Sequence, residues 1–224
     1  MNSNKKSHRF RNAVLFVFAI GLAYALWPRQ ASLRDFNPAA VSKLESTMWR
    51  NYYDKDYPRL LASLYSLNRD QYRFSPSDSI RLAILAATAA KDFQPTTNRV
   101  NAERVIPKLE SYFRLLRRRS GERFNVPSVA AAELDWWQLR RERATPATYG
   151  DVIASEEFQI YGVTNQSLRQ AALMRARMMG YRDERRDGKM QPEDWKHIEE
   201  VLKQSYELLK TGASKELADK AAMK

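Results

Sequence analysis

The stretch that decides the fold is residues 80–90, IRLAILAATAA, in which only Arg81 and Thr88 interrupt the apolar character. A helix that is apolar on nearly all sides is usually surrounded by other helices. Strand-like alternation is nearly absent from the rest of the chain. The sequence therefore predicts an all-α fold in which this stretch is the central helix.

Proline and glycine divide the chain on both sides of this stretch into segments of helical length. Prolines fall mostly where a helix would begin or has just ended, and glycines fall where a helix would close. This punctuation predicts helices at 39–54, 57–72, 77–92, 99–119, 126–144, 165–187 and 192–210, with a short one near 150–159. The tetratricopeptide pattern does not recur, so an irregular helical bundle is favoured over the alternative, a helical-hairpin solenoid.

Residues 1–28 have the pattern of a membrane anchor. An uncharged run, AVLFVFAIGLAYALW at 13–27, follows four positive charges: Lys5, Lys6, Arg9 and Arg11. As a helix, these 15 residues would extend roughly 22 Å, which is less than the ~30 Å hydrocarbon core of a bilayer. Local thinning of the bilayer would allow the segment to span it.

Two interpretations of this segment remain open. One is an uncleaved single-pass signal anchor. The other is a signal peptide cleaved near Ala25, because Ala23-Tyr24-Ala25 matches the small-x-small cleavage pattern. Both place the N-terminus in the cytoplasm and the main domain outside it, where the protein would be membrane-bound, secreted or periplasmic.

The remainder divides into a tether at 29–40, an all-helical domain at 41–210 and a flexible polar tail at 211–224. From residue 29 onward there are 34 basic and 26 acidic residues, so the domain carries excess positive charge. Nucleic acid is not an expected partner of a domain held outside the cytoplasm.

The composition of the 224 residues excludes several chemistries. Cysteine is absent, and histidine occurs twice, at His8 and His197. These counts exclude disulfide scaffolds, zinc and iron–sulfur sites, cysteine nucleophiles and multi-histidine metal centres. The seven glycines form no phosphate-binding or dinucleotide motif. We therefore expect no catalytic residue, no metal ligand and no cofactor.

Three predicted helices each direct charged side chains at or beside the core. Glu45 flanks an apolar face. Glu133, Trp137 and Arg140 share one sector of a second helix, and Arg175 and Arg182 lie on the apolar face of a third. Because a buried charge persists only when it is paired, we expect one connected network in which Glu133 bonds an arginine of another helix.

The network has two interpretations. It is either a structural set of ion pairs that fixes helix register, or a pocket for an anionic ligand or for acid–base chemistry. In the second case Trp137, Tyr52 and Tyr53 would line the pocket. A filled core would indicate a scaffold, whereas an open cavity would indicate ligand binding or catalysis.

The basic run Arg117, Arg118 and Arg119 precedes Gly121 at a predicted helix end. Cations there complement the helix dipole, which explains the run without a partner. The alternative is contact with anionic lipid headgroups.

Three stretches together resemble a family of uncharacterised bacterial proteins: LESTMWRNYYDKDYPRLL at 44–61, AAAELDWWQLRRER at 130–143 and MMGYRDERRDGKMQPEDW at 178–195. The resemblance covers most of residues 40–210. It implies an all-helical domain behind an N-terminal apolar segment, and it implies no activity, cofactor or catalytic residue. The matching positions are Glu45, Met48, Trp49, Arg50, Tyr52, Tyr53, Glu133, Trp136, Trp137, Arg143, Arg175, Arg182, Asp183 and Trp195. Arg177 departs from the pattern, since an acidic residue is expected there.

These observations predict a membrane-anchored helical binding or scaffolding protein without chemistry of its own. The expected partners are the membrane, through residues 13–27, and other proteins of a membrane complex. The alternative is an enzyme or ligand-binding pocket built on Glu45 and Glu133 with arginines and aromatic side chains.

Overall fold

The computed structural model describes residues 3–27, 29, 31–185 and 190–214, and within these ranges the secondary structure is helical without a strand. This confirms the predicted all-α class. The helices are α1 Ser3–Leu26, α2 Pro38–Tyr53, α3 Tyr57–Ser66, α4 Pro76–Phe93, α5 Arg99–Ala102, α6 Ile106–Ser120, α7 Val126–Arg141, α8 Pro146–Tyr161, α9 Gln166–Glu184 and α10 Pro192–Gly212. A π-helical turn, Leu67–Gln71, follows α3, and a 3₁₀ turn, Glu103–Val105, joins α5 to α6.

Local capping chemistry explains where most helices begin. Asn37, Ser75, Asn125 and Thr145 each accept a hydrogen bond from the backbone N–H three residues later. A proline follows each cap in the first or second helical position, where its missing N–H costs no helical hydrogen bond. The side-chain cap and the proline together fix the first turn of each helix.

The helices close into a ring. Successive helices α2, α3, α4, α6, α7, α8, α9 and α10 pack pairwise, and α10 also packs against α2. In a solenoid each repeat would contact only its neighbours, so the return of α10 to α2 identifies a bundle. The α8–α9 pair is especially close at Gly150, where a Cβ would lie 2.9 Å from Leu173 Cδ2.

Several predicted boundaries need correction. The single helix expected at 99–119 is divided, because Pro107 at the start of α6 cannot continue an unbroken helical ladder. The short helix expected near 150–159 is longer, since it begins at Pro146 and ends at Tyr161, where the next residue, Gly162, adopts a left-handed conformation with φ 65°. The predicted end at 187 lies outside the described residues, and α9 ends at Glu184.

Most of the segment expected to be a tether, 29–40, packs into the fold. Ala31, Leu33 and Phe36 are buried in the core, and residues from Pro38 onward already belong to α2. Arg34 fixes this segment by donating to both oxygens of Glu122 and to the Tyr161 carbonyl. At the other end of the chain, α10 extends to Gly212 and Ala213 is buried, so the expected tail begins later than residue 211; residues 215–224 lie outside the described part.

The stretch at 80–90 lies in α4 but is not surrounded by other helices. Leu82 and Ala83 are buried against the ring, whereas Ile80 and Ile84 are 38% and 46% exposed. The near-absence of polar residues at 80–90 therefore does not identify a helix at the centre of the bundle. It leaves an apolar strip on the outer surface.

Helix α1 stands apart from the ring and contacts α4. Its large apolar side chains from Val14 to Leu26 are mostly exposed, and Tyr24 accepts a hydrogen bond of 2.8 Å from Arg69. Across the residues that the structure describes, no helix has both the length and the apolar character needed to cross a membrane.

Candidate functional site

A cavity of about 290 Å³ lies inside the ring, and every helix of the ring contributes to its wall. The apolar part of the wall consists mainly of leucines and isoleucines together with Met48, Phe113 and Trp137. Its polar part consists of one arginine, one serine, four glutamates and four tyrosines: Arg175, Ser205, Glu45, Glu133, Glu156, Glu157, Tyr72, Tyr112, Tyr161 and Tyr206. The cavity thus combines an apolar wall with a concentrated group of carboxyls.

Glu45 and Arg175 form a buried ion pair at the cavity. Both Nε and Nη2 of Arg175 lie 2.7 Å from Oε1 of Glu45, and Tyr206 donates to Oε2 at 2.6 Å. The Glu45 residue is only 2% exposed. Burial alone would lower the pKa of Arg175, but the neighbouring Glu45 and Tyr206 raise it, so the guanidinium stays charged. The structure therefore brings these two predicted residues together.

Glu133 has different partners from those expected. Trp137 Nε1 donates to its Oε1 at 2.8 Å, and Trp136 Nε1 donates to its Oε2 at 3.2 Å. Among the described residues no arginine hydrogen-bonds Glu133, so the predicted arginine partner is replaced by two indoles of the same helix. Hydrogen bonds therefore divide the expected single network into three sets: Glu45 with Arg175, Glu133 with the two indoles, and Arg140 and Arg182 with Asp183.

Glu156 lies against Glu133. The Trp136 N–H that reaches Glu133 also reaches Oε2 of Glu156 at 3.1 Å, so two carboxyls share one indole donor. Burial, together with repulsion by Glu133 and a hydrogen bond between the two carboxyls, raises the pKa of Glu156 well above its usual value. Burial beside a second carboxyl therefore disfavours the charged form of Glu156.

Glu157 is the least satisfied group of the cavity wall. Its Oε2 is inaccessible to solvent and makes no hydrogen bond within the described residues. Burial raises the pKa of Glu157 to about 8, with Arg175 opposing and Glu45 adding to the shift. At pH 7 this carboxyl is mostly protonated and uncharged.

Another part of the predicted network lies away from the cavity wall, namely Arg140, Arg182, Tyr52 and Tyr53. Arg140 Nε donates to Asp183 Oδ2 at 2.7 Å, and its Nη2 donates to the Tyr53 hydroxyl at 2.5 Å. Arg182 Nη1 also bonds Asp183, and its guanidinium covers the Tyr53 ring. Tyr52 packs edge-on against Tyr53. These contacts join α2, α7 and α9. This part of the network therefore has the structural role that was one of the two interpretations of the sequence.

The three arginines at the end of α6 differ from one another. Arg119 forms an ion pair of 2.9 Å with the buried Asp78, and Arg117 donates to the Phe124 carbonyl at 3.1 Å. Arg118 is exposed. Arg119 is thus used within the fold, while the other two guanidiniums lie at the surface.

Sequence reasoning missed Glu156 and Glu157. The available signal was an adjacent pair of glutamates between apolar residues, in the stretch VIASEEFQI at 152–160. The sequence predicted only a short helix here, near 150–159. No group of three or more His, Asp or Glu side chains among the described residues is arranged to hold a metal ion.

The fold and site define an all-helical ring around a glutamate-rich cavity. Comparison with protein-family models, with curated proteins and with solved structures gives no match. The resemblance to a family of uncharacterised bacterial proteins therefore stays an expectation from the sequence.

Proposed function

We propose that this chain is a membrane-attached binding protein whose helical ring holds a small molecule in its central cavity. The observation that carries the proposal is the 290 Å³ cavity walled by carboxyls and tyrosines. Protein interiors are close-packed, with few voids larger than a water molecule. A cavity near the lower limit of about 300 Å³ for small-molecule sites, with polar groups converging on it, is typical of a binding site.

Ligand binding has a direct test in a variant that fills the cavity. Ala86 of α4 lies in the cavity wall, so Ala86→Phe should occupy the ligand volume. Ala62 of α3 is exposed, and Ala62→Phe is the matched control. A thermal-shift screen of low-molecular-weight cations, anions and neutral molecules on the full-length chain in non-ionic detergent should find ligands that stabilise the wild type and the control but not Ala86→Phe. A screen without any such ligand would overturn the proposal.

Attachment to the membrane rests on α1. Ten large apolar side chains between Val14 and Trp27 are exposed, and the charges before them are positive. In the proposal, residues 13–27 insert into the bilayer with the N-terminus in the cytoplasm and the ring outside it. Substituting Phe16 and Phe18 with lysine should release the chain from membranes during alkaline extraction. A C-terminal reporter should be active only outside the cytoplasm.

The opposite behaviour in either assay would contradict the attachment. N-terminal sequencing of the mature chain separates the anchor from the secreted alternative, because cleavage near Ala25 would remove the helix. Exposed Arg117 and Arg118 are the candidate contacts with anionic lipid in this arrangement. Flotation with anionic vesicles, compared with a variant in which both are glutamine, tests that contact.

A second candidate function, scaffolding within a membrane assembly, is favoured by the exposed apolar strip of Ile80 and Ile84 on α4. A protein partner would cover this strip. Affinity purification from solubilised membranes should recover a specific partner with the wild type and lose it with Ile84→Glu. Recovery of the same proteins with both chains would count against scaffolding.

A further inference from the structure

We propose that the cavity binds a small organic cation, a protonated amine or a guanidinium, whose charged group meets Glu157 and the Glu133–Glu156 pair. This inference rests on the proposed ligand-binding function and names the class of ligand. It departs from the anionic ligand that the sequence suggested.

The charged side chains of the cavity wall disfavour an anionic ligand. Arg175 is the one cationic side chain among the described residues that line the cavity, and its Nε and Nη2 already bond Glu45. The two indole N–H groups nearby are occupied by Glu133 and Glu156. An anionic ligand would therefore meet three further carboxyls without a free cation to receive it.

The hydrogen-bond acceptors of the cavity wall favour a cationic ligand. Glu157 presents a buried oxygen, Oε2, that makes no hydrogen bond, and Oε2 of Glu133 and Oε2 of Glu156 share the Trp136 N–H. A ligand that brings several N–H donors and a positive charge would satisfy these acceptors at once. A buried polar atom without a hydrogen-bond partner raises the free energy of the folded state. A ligand that donates a hydrogen bond to Glu157 Oε2 would remove this penalty, which favours its binding.

The rest of the wall suits the carbon part of such a ligand. Trp137, Tyr72 and Tyr112 contribute aromatic surface, and Met48, Ile153 and several leucines contribute aliphatic surface. Aromatic faces attract organic cations as well as apolar groups. The volume of about 290 Å³ accommodates a ligand with one ring or a short chain.

Binding a cation should displace a proton. Burial raises the pKa of Glu157 to about 8, so a ligand charge beside it would lower that pKa and release the proton at pH 7. The charged and titratable groups that act on Glu157 or respond to it are Arg175 on α9, Glu45 on α2, Glu156 and Tyr161 on α8, and Tyr72 before α4. Apart from Arg175, these are carboxyls or tyrosine hydroxyls.

The test uses three probes of one shape: benzylamine, benzyl alcohol and benzoate. Isothermal titration of the full-length chain in non-ionic detergent at pH 7 should give a benzylamine affinity at least tenfold above that of benzyl alcohol, with benzoate weakest. Titration in two buffers of different ionisation enthalpy should show proton release with benzylamine alone.

The informative variant is Glu157→Gln. Because Glu157 is mostly uncharged at pH 7, glutamine preserves the folded state while removing the ability to ionise. It should weaken benzylamine at least tenfold and abolish its proton release, while leaving benzyl alcohol unchanged. The control Glu110→Gln, in the i,i+4 surface pair of α6, should change none of these values.

Two outcomes separate the inference from the function on which it rests. The first outcome is that benzoate or benzyl alcohol binds as tightly as benzylamine, or that the molecules that stabilise the wild type but not Ala86→Phe are mainly anionic or neutral. In that case the cavity binds ligands, but it does not select them by positive charge. If neither the probes nor any molecule of the screen binds, the ligand-binding function itself fails. An unchanged benzylamine affinity in Glu157→Gln would overturn the assignment of the cation to Glu157.

Discussion

Removing the guanidinium of Arg175 should destabilise the ring strongly, because it leaves the Glu45 carboxylate buried. Arg175→Met preserves most of the length and apolar stem of the side chain. Glu45 is 2% exposed, and its remaining hydrogen-bond donor in the variant would be the Tyr206 hydroxyl. Breaking a buried ion pair by removing one partner costs about 3–5 kcal/mol.

The structure places this loss toward the lower end of the range. The Arg175 side chain is 27% exposed, and the bond from Tyr206 survives, so about 3 kcal/mol is expected. For a domain of this size each kcal/mol lowers the unfolding midpoint by about 2–4 °C, which gives a decrease of roughly 6–12 °C. Urea unfolding of the full-length chain in detergent, followed by circular dichroism, measures the free energy directly.

Helix α9 offers a matched control for this experiment. Arg169 pairs with Asp151 at 2.8 Å, the same kind of pair at a similar distance, but both side chains are about half exposed. Arg169→Met should therefore cost less than about 1 kcal/mol. Adding Glu45→Gln to Arg175→Met should recover part of the loss, since no charge is then stranded. Equal destabilisation by the two arginine variants would refute the reasoning.

Two further predictions concern the carboxyls of the cavity. Glu133→Gln should lower the free energy of unfolding by about 1–3 kcal/mol, because an amide N–H must face an indole N–H, while Glu110→Gln should leave it unchanged; equal unfolding midpoints would contradict this. For Glu157, a pKa raised to about 8 in the fold means that the folded state binds the proton more tightly than the unfolded state. Stability should accordingly fall as pH rises from about 4.5 to about 8, and Glu157→Gln should flatten that part of the stability profile, measured by urea unfolding across pH; a parallel profile in the variant would disprove the shift.

Local chemistry made the starts of α2, α4 and α7 predictable, and the same signal was present but unused at the start of α8. The caps at Asn37, Ser75, Asn125 and Thr145 depend on side chains and prolines a few residues apart, and such signals are complete within the sequence. That Glu45 would need a cationic partner was predictable for a similar reason, because helical spacing put it beside the core and burial requires a partner. The spacing leaves open which of the inward arginines it meets.

The correct opposing residue could not be predicted from spacing alone. Helical periodicity gives the face on which Glu133 lies, but the identity of its partner depends on which helix lies opposite. Here the partners are Trp136 and Trp137, three and four residues along the same helix, whose N–H groups satisfy the carboxylate before any arginine reaches it. The cavity depends on closure of α10 onto α2, a contact between distant parts of the chain that no local pattern encodes.

The segment before α2 connects α1 to the cavity more directly than a tether would. Leu33 is part of the cavity wall, and Tyr161 donates to its carbonyl. Only residues 27–30 separate the end of α1 from the buried Ala31, and four residues span at most about 14 Å. If α1 inserts as proposed, the ring is therefore held close to the bilayer surface, with its excess of basic residues near the headgroups. A ligand that leaves the membrane surface would then have only a short distance to travel to the ring.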